Sequence, residues 1–120
     1  MNKVVHFEIP ADDIARAKVF YGEIFGWDLE DVPDIAYTVA KTNENNDPGA
    51  INGGIVKRND IVKRPVLYIS VPDVDEYLRK VEEGGGEIVF PKKDVPGMGA
   101  YAQVADSEGN IIGLWEMKDK

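Results

Sequence analysis

Val66-Leu67-Tyr68-Ile69-Ser70-Val71-Pro72-Asp73-Val74-Asp75-Glu76-Tyr77-Leu78 holds a strand, a helix start and the opening turns of an amphipathic helix. Leu67, Ile69 and Val71 alternate onto one strand face. Asp73 stands as N-cap with Glu76 three residues on, a capping-box spacing. Val74, Tyr77, Leu78 and Val81 then recur at helical spacing until Gly84-Gly85-Gly86 stops the helix. Strands near Glu87 to Phe90, Gly99 to Val104 and Ile111 to Met117 follow, the last two joined through Asp106-Ser107-Glu108-Gly109-Asn110.

Sixty residues earlier the same order is already present. Val4 to Ile9 reads as a strand with Val5, Phe7 and Ile9 on one face and Val4, His6 and Glu8 on the other. Asp12 and Asp13 supply N-cap candidates, and Ile14, Ala17, Tyr21 and Ile24 keep helical spacing up to Gly26. Short strands are expected at Ile35 to Ala40 and Ala50 to Val56, around a polar hairpin loop from Thr42 to Gly49. Ten of sixty positions match when the chain is slid by sixty residues, against roughly four from composition. The matches include Ile9/Ile69, Asp13/Asp73, Gly26/Gly86, Gly49/Gly109 and Gly53/Gly113, and they fall at the helix cap, the helix stop, the last hairpin and in the strands of each half. Each half therefore spells β-α-β-β-β, an α+β domain spanning 1–120 with the helices on one side of the sheet. Module 1 covers about 1–57 and module 2 about 64–117, joined by a charged connector.

Composition narrows the partners. Of 120 residues 43% are apolar, and 14 basic side chains stand against 22 acidic ones, a net charge of −8. One domain fits that length. The acidic balance disfavours nucleic acid and anionic membrane, which need a positive surface. With no apolar run of about eighteen residues and no secretory h-region at the N-terminus, a cytoplasmic address is expected. The absence of cysteine removes disulfides, thiolate metal sites and cysteine nucleophiles together.

His6-Phe7-Glu8-Ile9-Pro10, the helix end Phe20-Tyr21 with Phe25-Gly26-Trp27, and Tyr101 to Asn110 with Gly113-Leu114-Trp115-Glu116 resemble the vicinal oxygen chelate superfamily. That group holds glyoxalases, bleomycin-resistance proteins and extradiol dioxygenases, and the resemblance covers nearly the whole chain. It implies two modules curled into an eight-stranded cup, helices on the outer face, with small ligands or a metal on the concave side. It also implies a homodimer. Strand alternation then puts Val5, Phe7, Ile9, Leu67, Ile69, Ile112 and Leu114 under the helices. His6, Glu8, Val66, Tyr68, Gly113 and Trp115 face the cup.

In metal-using relatives four ligands come from the first and last strands of each module. The corresponding places here are His6, a position near Gly53, Val66 and Gly113, so one of four can ligate, whereas a divalent centre needs about three protein ligands. Glu8, Glu116 and Gln103 are the reserve donors, though Glu116 lies opposite Trp115 in the alternation and points away.

His6 and Glu8 are catalytic candidates as an acid/base pair, against a plain polar lining. Trp27, Tyr37, Tyr68, Tyr101 and Trp115 are candidates for stacking on a planar or cationic ligand, against core or dimer packing. Pro91 to Gly99 has the composition of a flap from which Met98 closes over an apolar ligand, against a plain connecting loop. Gly84-Gly85-Gly86 is no phosphate loop, since it follows a helix C-terminus.

The expected function is metal-independent binding of a small organic molecule, cationic or aromatic, by His6, Glu8, Tyr68, Met98, Tyr101 and Trp115, in the manner of bleomycin-resistance proteins. No cofactor is expected. The alternative is a glyoxalase-like lyase or isomerase, or a dioxygenase, with a divalent metal and His6 as one ligand. A protein-interaction module would need a large exposed apolar patch, for which the sequence offers no sign.

Overall fold

The structure of the protein is a computed structural model that describes residues 1–44 and 47–118; the hairpin-loop reading of Asn45 and Asn46 lies outside the described residues. The elements run β1 (Val4–Ala11), α1 (Ile14–Phe25), β2 (Asp28–Asp31), β3 (Tyr37–Lys41), β4 (Gly53–Lys57), β5 (Val66–Ser70), α2 (Val74–Glu83), β6 (Glu87–Val95), β7 (Gly99–Ala105) and β8 (Ile111–Met117). This is the α+β, twice-repeated β-α-β-β-β order. No described helix is long and apolar enough to cross a membrane.

The chain divides into two compact units, His6–Pro65 and Val66 onward with Met1–Val5. In the first, the strand order is β2-β3-β4-β1. β1 runs parallel to β4, and β3 is antiparallel to β2 and β4. Ala40, Ile55 and Thr38 are its most buried strand residues. In the second, the order is β5-β8-β7-β6, with β5 parallel to β8 and the other pairs antiparallel. Its core joins Val71, Val74, Leu78, Ala102, Val104 and Leu114, with Ile69, Tyr77, Val81 and Ile112 packed against them. The whole α2 stripe anticipated from spacing is in that cluster.

The helix ends follow their local chemistry. Asp13 accepts from the Arg16 amide at 3.0 Å, and Gly26 closes α1 at φ 71°, a left-handed conformation that suits glycine. Asp73 accepts from the Glu76 amide at 3.3 Å. A second carboxylate, Glu116 from β8, accepts from the Val74 amide at 2.8 Å. Two anions thus satisfy amides that α2 leaves open and meet the positive end of its dipole.

Four local expectations are revised. β2 was not anticipated, because Asp28-Leu29-Glu30-Asp31 has one apolar residue; pairing with β3 and the bond from Thr38 Oγ1 to Asp31 (2.8 Å) hold it instead. β6 continues through Pro91 to Val95, so Pro91 to Gly99 is no flap. Pro91 falls inside the register shift between Phe90 and Lys93 of an outer strand, where a missing amide donor is tolerated. Leu67 and Val5, assigned beneath the helices, are 41% and 38% exposed. Ile24, placed on the inward stripe of α1, is 59% exposed.

The Glu116 cap makes a direct prediction. Glu116→Ala should lower the unfolding free energy by about 1 kcal/mol, as helix N-cap losses do, and Glu116→Gln, which keeps an acceptor oxygen, by less. Urea unfolding monitored by circular dichroism measures both.

Candidate functional site

Module 1 gathers its polar chemistry where β1 lies parallel to β4. Strand alternation puts His6 and Glu8 on one face, and Glu8 is in register with Gly54. Tyr37 comes from β3, in register with Val56, and covers Gly54 so closely that a Cβ there would run into the Tyr37 hydroxyl and ring. Tyr37 Oη lies 2.7 Å from His6 Nε2. The two rings are near parallel, 12° apart, with centroids 6.5 Å apart. Glu8 Oε2 is 3.9 Å from the same nitrogen. The side chains of His6 and Glu8 are 34% and 14% exposed. Burial holds the His6 imidazole below its ordinary pKa, so at neutral pH the ring is uncharged. A neutral imidazole bonded to a phenol and near a carboxylate can pass a proton or orient a polar ligand atom.

Module 2 repeats the device with different polar groups. Tyr68 on β5 is in register with Gly113 on β8, and a Cβ at 113 would enter the Tyr68 ring. Gln103 on β7 is in register with Gly113 and donates from Nε2 to Tyr68 Oη at 2.8 Å. Tyr101 lies two residues before Gln103, in register with Trp115. Its ring stacks on Phe90 at 5.6 Å and 12°, and meets Tyr68 edge-on at 6.4 Å. Tyr68 and Gln103 are almost fully buried, whereas Phe90, Tyr101 and Trp115 keep part of their surface.

The anticipated residues separate accordingly. His6 and Glu8 come together; Tyr101 and Trp115 share a strand pair. Tyr68, at 3% exposure, is floor rather than ligand surface. Met98 stands in the turn between β6 and β7, 61% exposed. Trp27 stacks on Tyr21 at 4.9 Å and packs against Phe7, a structural role. Tyr37 entered the sequence reading only as a stacking ring; its bond to His6 needed the β3 register. Phe90 was missed because it follows a bulge that breaks the alternation of β6.

The matched glycines need one correction. Gly53 faces the opposite side from Glu8, against the Phe7 ring and carbonyl. The counterpart of Gly113 is Gly54, so the repeat offset is sixty from Glu8 to Tyr68 and fifty-nine from Gly54 to Gly113. Both positions lack a donor, and both are roofed by a tyrosine. Glu116 caps α2 and leaves the donor set. Among the described residues no three or more His, Asp or Glu side chains cluster as a metal would need.

The family description Glyoxalase/Bleomycin resistance protein/Dioxygenase superfamily matches residues 3–114. CFP32 of Mycobacterium tuberculosis is 31% identical over 120 residues, covering 91% of this chain and 43% of its own length. The chain thus spans less than half of such curated relatives. A glyoxylase-like domain-containing protein of Didymella fabae is 31% identical, covering 94% of this chain and 92% of its own. The fold of methylmalonyl-CoA epimerase from Streptomyces coelicolor superposes with TM-score 0.68 at 17% identity, covering 99% of both chains.

Two measurements probe these clusters. Gly113→Ala should cost about 1–3 kcal/mol, the range of overpacking, because Tyr68 is buried and held by Gln103. Gly54→Ala should cost less, because the half-buried Tyr37 can turn outward; urea midpoints compare them. His6 is the sole histidine, so its ring resonances in an NMR titration should report a pKa below the ordinary 6.5. Between 6.5 and that lower value the unfolded chain carries a proton that the folded chain does not. Acidification through this window should destabilise the fold, and His6→Gln should remove that contribution.

Proposed function

The chain belongs to the Glyoxalase/Bleomycin resistance protein/Dioxygenase superfamily, and from that premise we propose that it binds a small organic molecule in the cytoplasm without a divalent metal. The observation that carries this reading is the tyrosine roof over each bare glycine, Tyr37 on Gly54 and Tyr68 on Gly113. A carboxylate at either position would have to displace a ring. What the modules offer instead is aromatic surface with a few polar groups, the composition of an organic-ligand site. Phe90, Tyr101 and Trp115 suit a planar ligand. Glu8 beside an uncharged imidazole, in a chain of net charge −8, favours a cationic group on that ligand.

A second reading keeps catalysis. The 3.9 Å approach of His6 to Glu8 supports a two-residue start to a metal site, and the glyoxylase-like relative supports glyoxalase-type chemistry; in this reading the chain is a lyase, isomerase or dioxygenase with His6 as one metal ligand.

Elemental analysis of purified protein, with thermal unfolding in added nickel, zinc, iron(II) and manganese, separates the two, since a ligand of the folded state raises its stability. The binding reading expects no stoichiometric metal and no shift. It also expects planar aromatic cations to raise the melting temperature, with Tyr101→Ala weakening that binding roughly tenfold. One equivalent of metal, lost in His6→Ala, would establish the second reading instead.

A further inference from the structure

Module 2 sets a cation beside its rings. Tyr101 on β7 is in register with Trp115 on β8 and with Lys93 on β6, and antiparallel partners point their side chains to the same side of the sheet. The Phe90 ring stacks on Tyr101 at 5.6 Å. The Trp115 indole lies over Gly99, where a Cβ would come within 3.1 Å of it. Gly99 pairs with Val95, two residues beyond Lys93. A lysine spans the distance to diagonal neighbours on a ladder, so the Lys93 ammonium can reach a group bound over Tyr101 or Trp115.

The other charges of β6 go elsewhere. Lys92 Nζ bonds Asp75 of α2 at 3.2 Å, and Asp94 is in register with the buried Ala100 on the helix side. Glu87 shares the ring face but stands opposite Ala105, about 13 Å along β7 from Tyr101. Lys93 is exposed, and among the described residues it makes no ion pair. Guarding an edge strand against further pairing is a common use of lysine, but Pro91 and the register shift already disrupt this edge.

We propose that Lys93 selects an acidic substituent on a planar ligand, so that the ligand class of module 2 is an aromatic acid. The inference rests on the stacking part of the binding reading above and goes beyond it in charge; Glu8, the carboxylate that favours a cation, belongs to module 1. Ring faces hold a flat molecule without fixing where its substituents point. An ammonium at the rim fixes it, because a carboxylate in the plane of a stacked ring lies at that ring's edge and takes a charge-assisted hydrogen bond there. The net charge of −8 repels an anion at long range, so the contact that offsets the repulsion has to be local.

Isothermal titration calorimetry of the full chain with naphthoate, naphthylmethanol and naphthylmethylamine tests this, since one flat ring then carries an acid, a neutral group or a cation. Naphthoate should bind about fivefold more tightly than naphthylmethanol, the upper range for an exposed ion pair, and the amine most weakly. Lys93→Met should bring the acid down to the alcohol and leave the alcohol unchanged. Lys93→Glu should place the amine first, and Tyr101→Ala should weaken all three alike. Both Lys93 variants should keep the circular dichroism spectrum of the unsubstituted protein, because the side chain is exposed. Equal affinities, a preference for the amine, or an acid preference that survives Lys93→Met would overturn the proposal while leaving the stacking reading intact. Failure of all three molecules to bind would remove the stacking reading and the proposal with it.

Discussion

At the seam between the first and last strands of each module, a glycine is overlain by a tyrosine ring from within that module. Parallel neighbours in register point their side chains to the same side, so whatever stands at 54 competes for space beside Glu8, and whatever stands at 113 beside Tyr68. The bare glycine lets the ring lie flat against the sheet. That places the Tyr37 hydroxyl on His6 and the Tyr68 hydroxyl on Gln103. The polar chemistry of each module follows from this one exclusion.

The two modules differ around it in opposite directions. Module 1 keeps ionisable groups at its seam, His6 and Glu8, with partial access to solvent. Module 2 seals its seam with an amide and a phenol and adds the Phe90 and Tyr101 stack. Outside the sheets the contrast reverses. α2 is covered by charge and capped by two carboxylates, whereas α1 leaves its aromatic ridge in solvent.

Much was legible from local pattern. Asp13, Gly26 and Asp73 act through atoms within a few residues of themselves, so their caps could be read directly. The stripe Val74, Tyr77, Leu78, Val81 was legible because helical period alone sets which side faces the sheet. Where pattern and packing parted, the causes are specific. Ile24 lies on a helix whose apolar residues surround more than one side, so spacing did not say which side would be covered. β2 is held by its partner strand rather than by its own residues. Gly53 and Gly54 are adjacent, and a one-residue change of offset decides which of them meets Tyr37.

By itself the sequence determined the family and the repeated order of elements apart from the place of β2, because turns, caps and alternation are local and leave their marks within a few positions. The tertiary structure alone decided that Tyr37 bonds His6, that Gln103 bonds Tyr68, that Glu116 caps a helix whose first residue is 42 positions away, and that the α1 ridge stays exposed. Each depends on strand register or on which surface a neighbour covers. A shift of one residue in register exchanges one face for the other, and no short-range pattern records that choice.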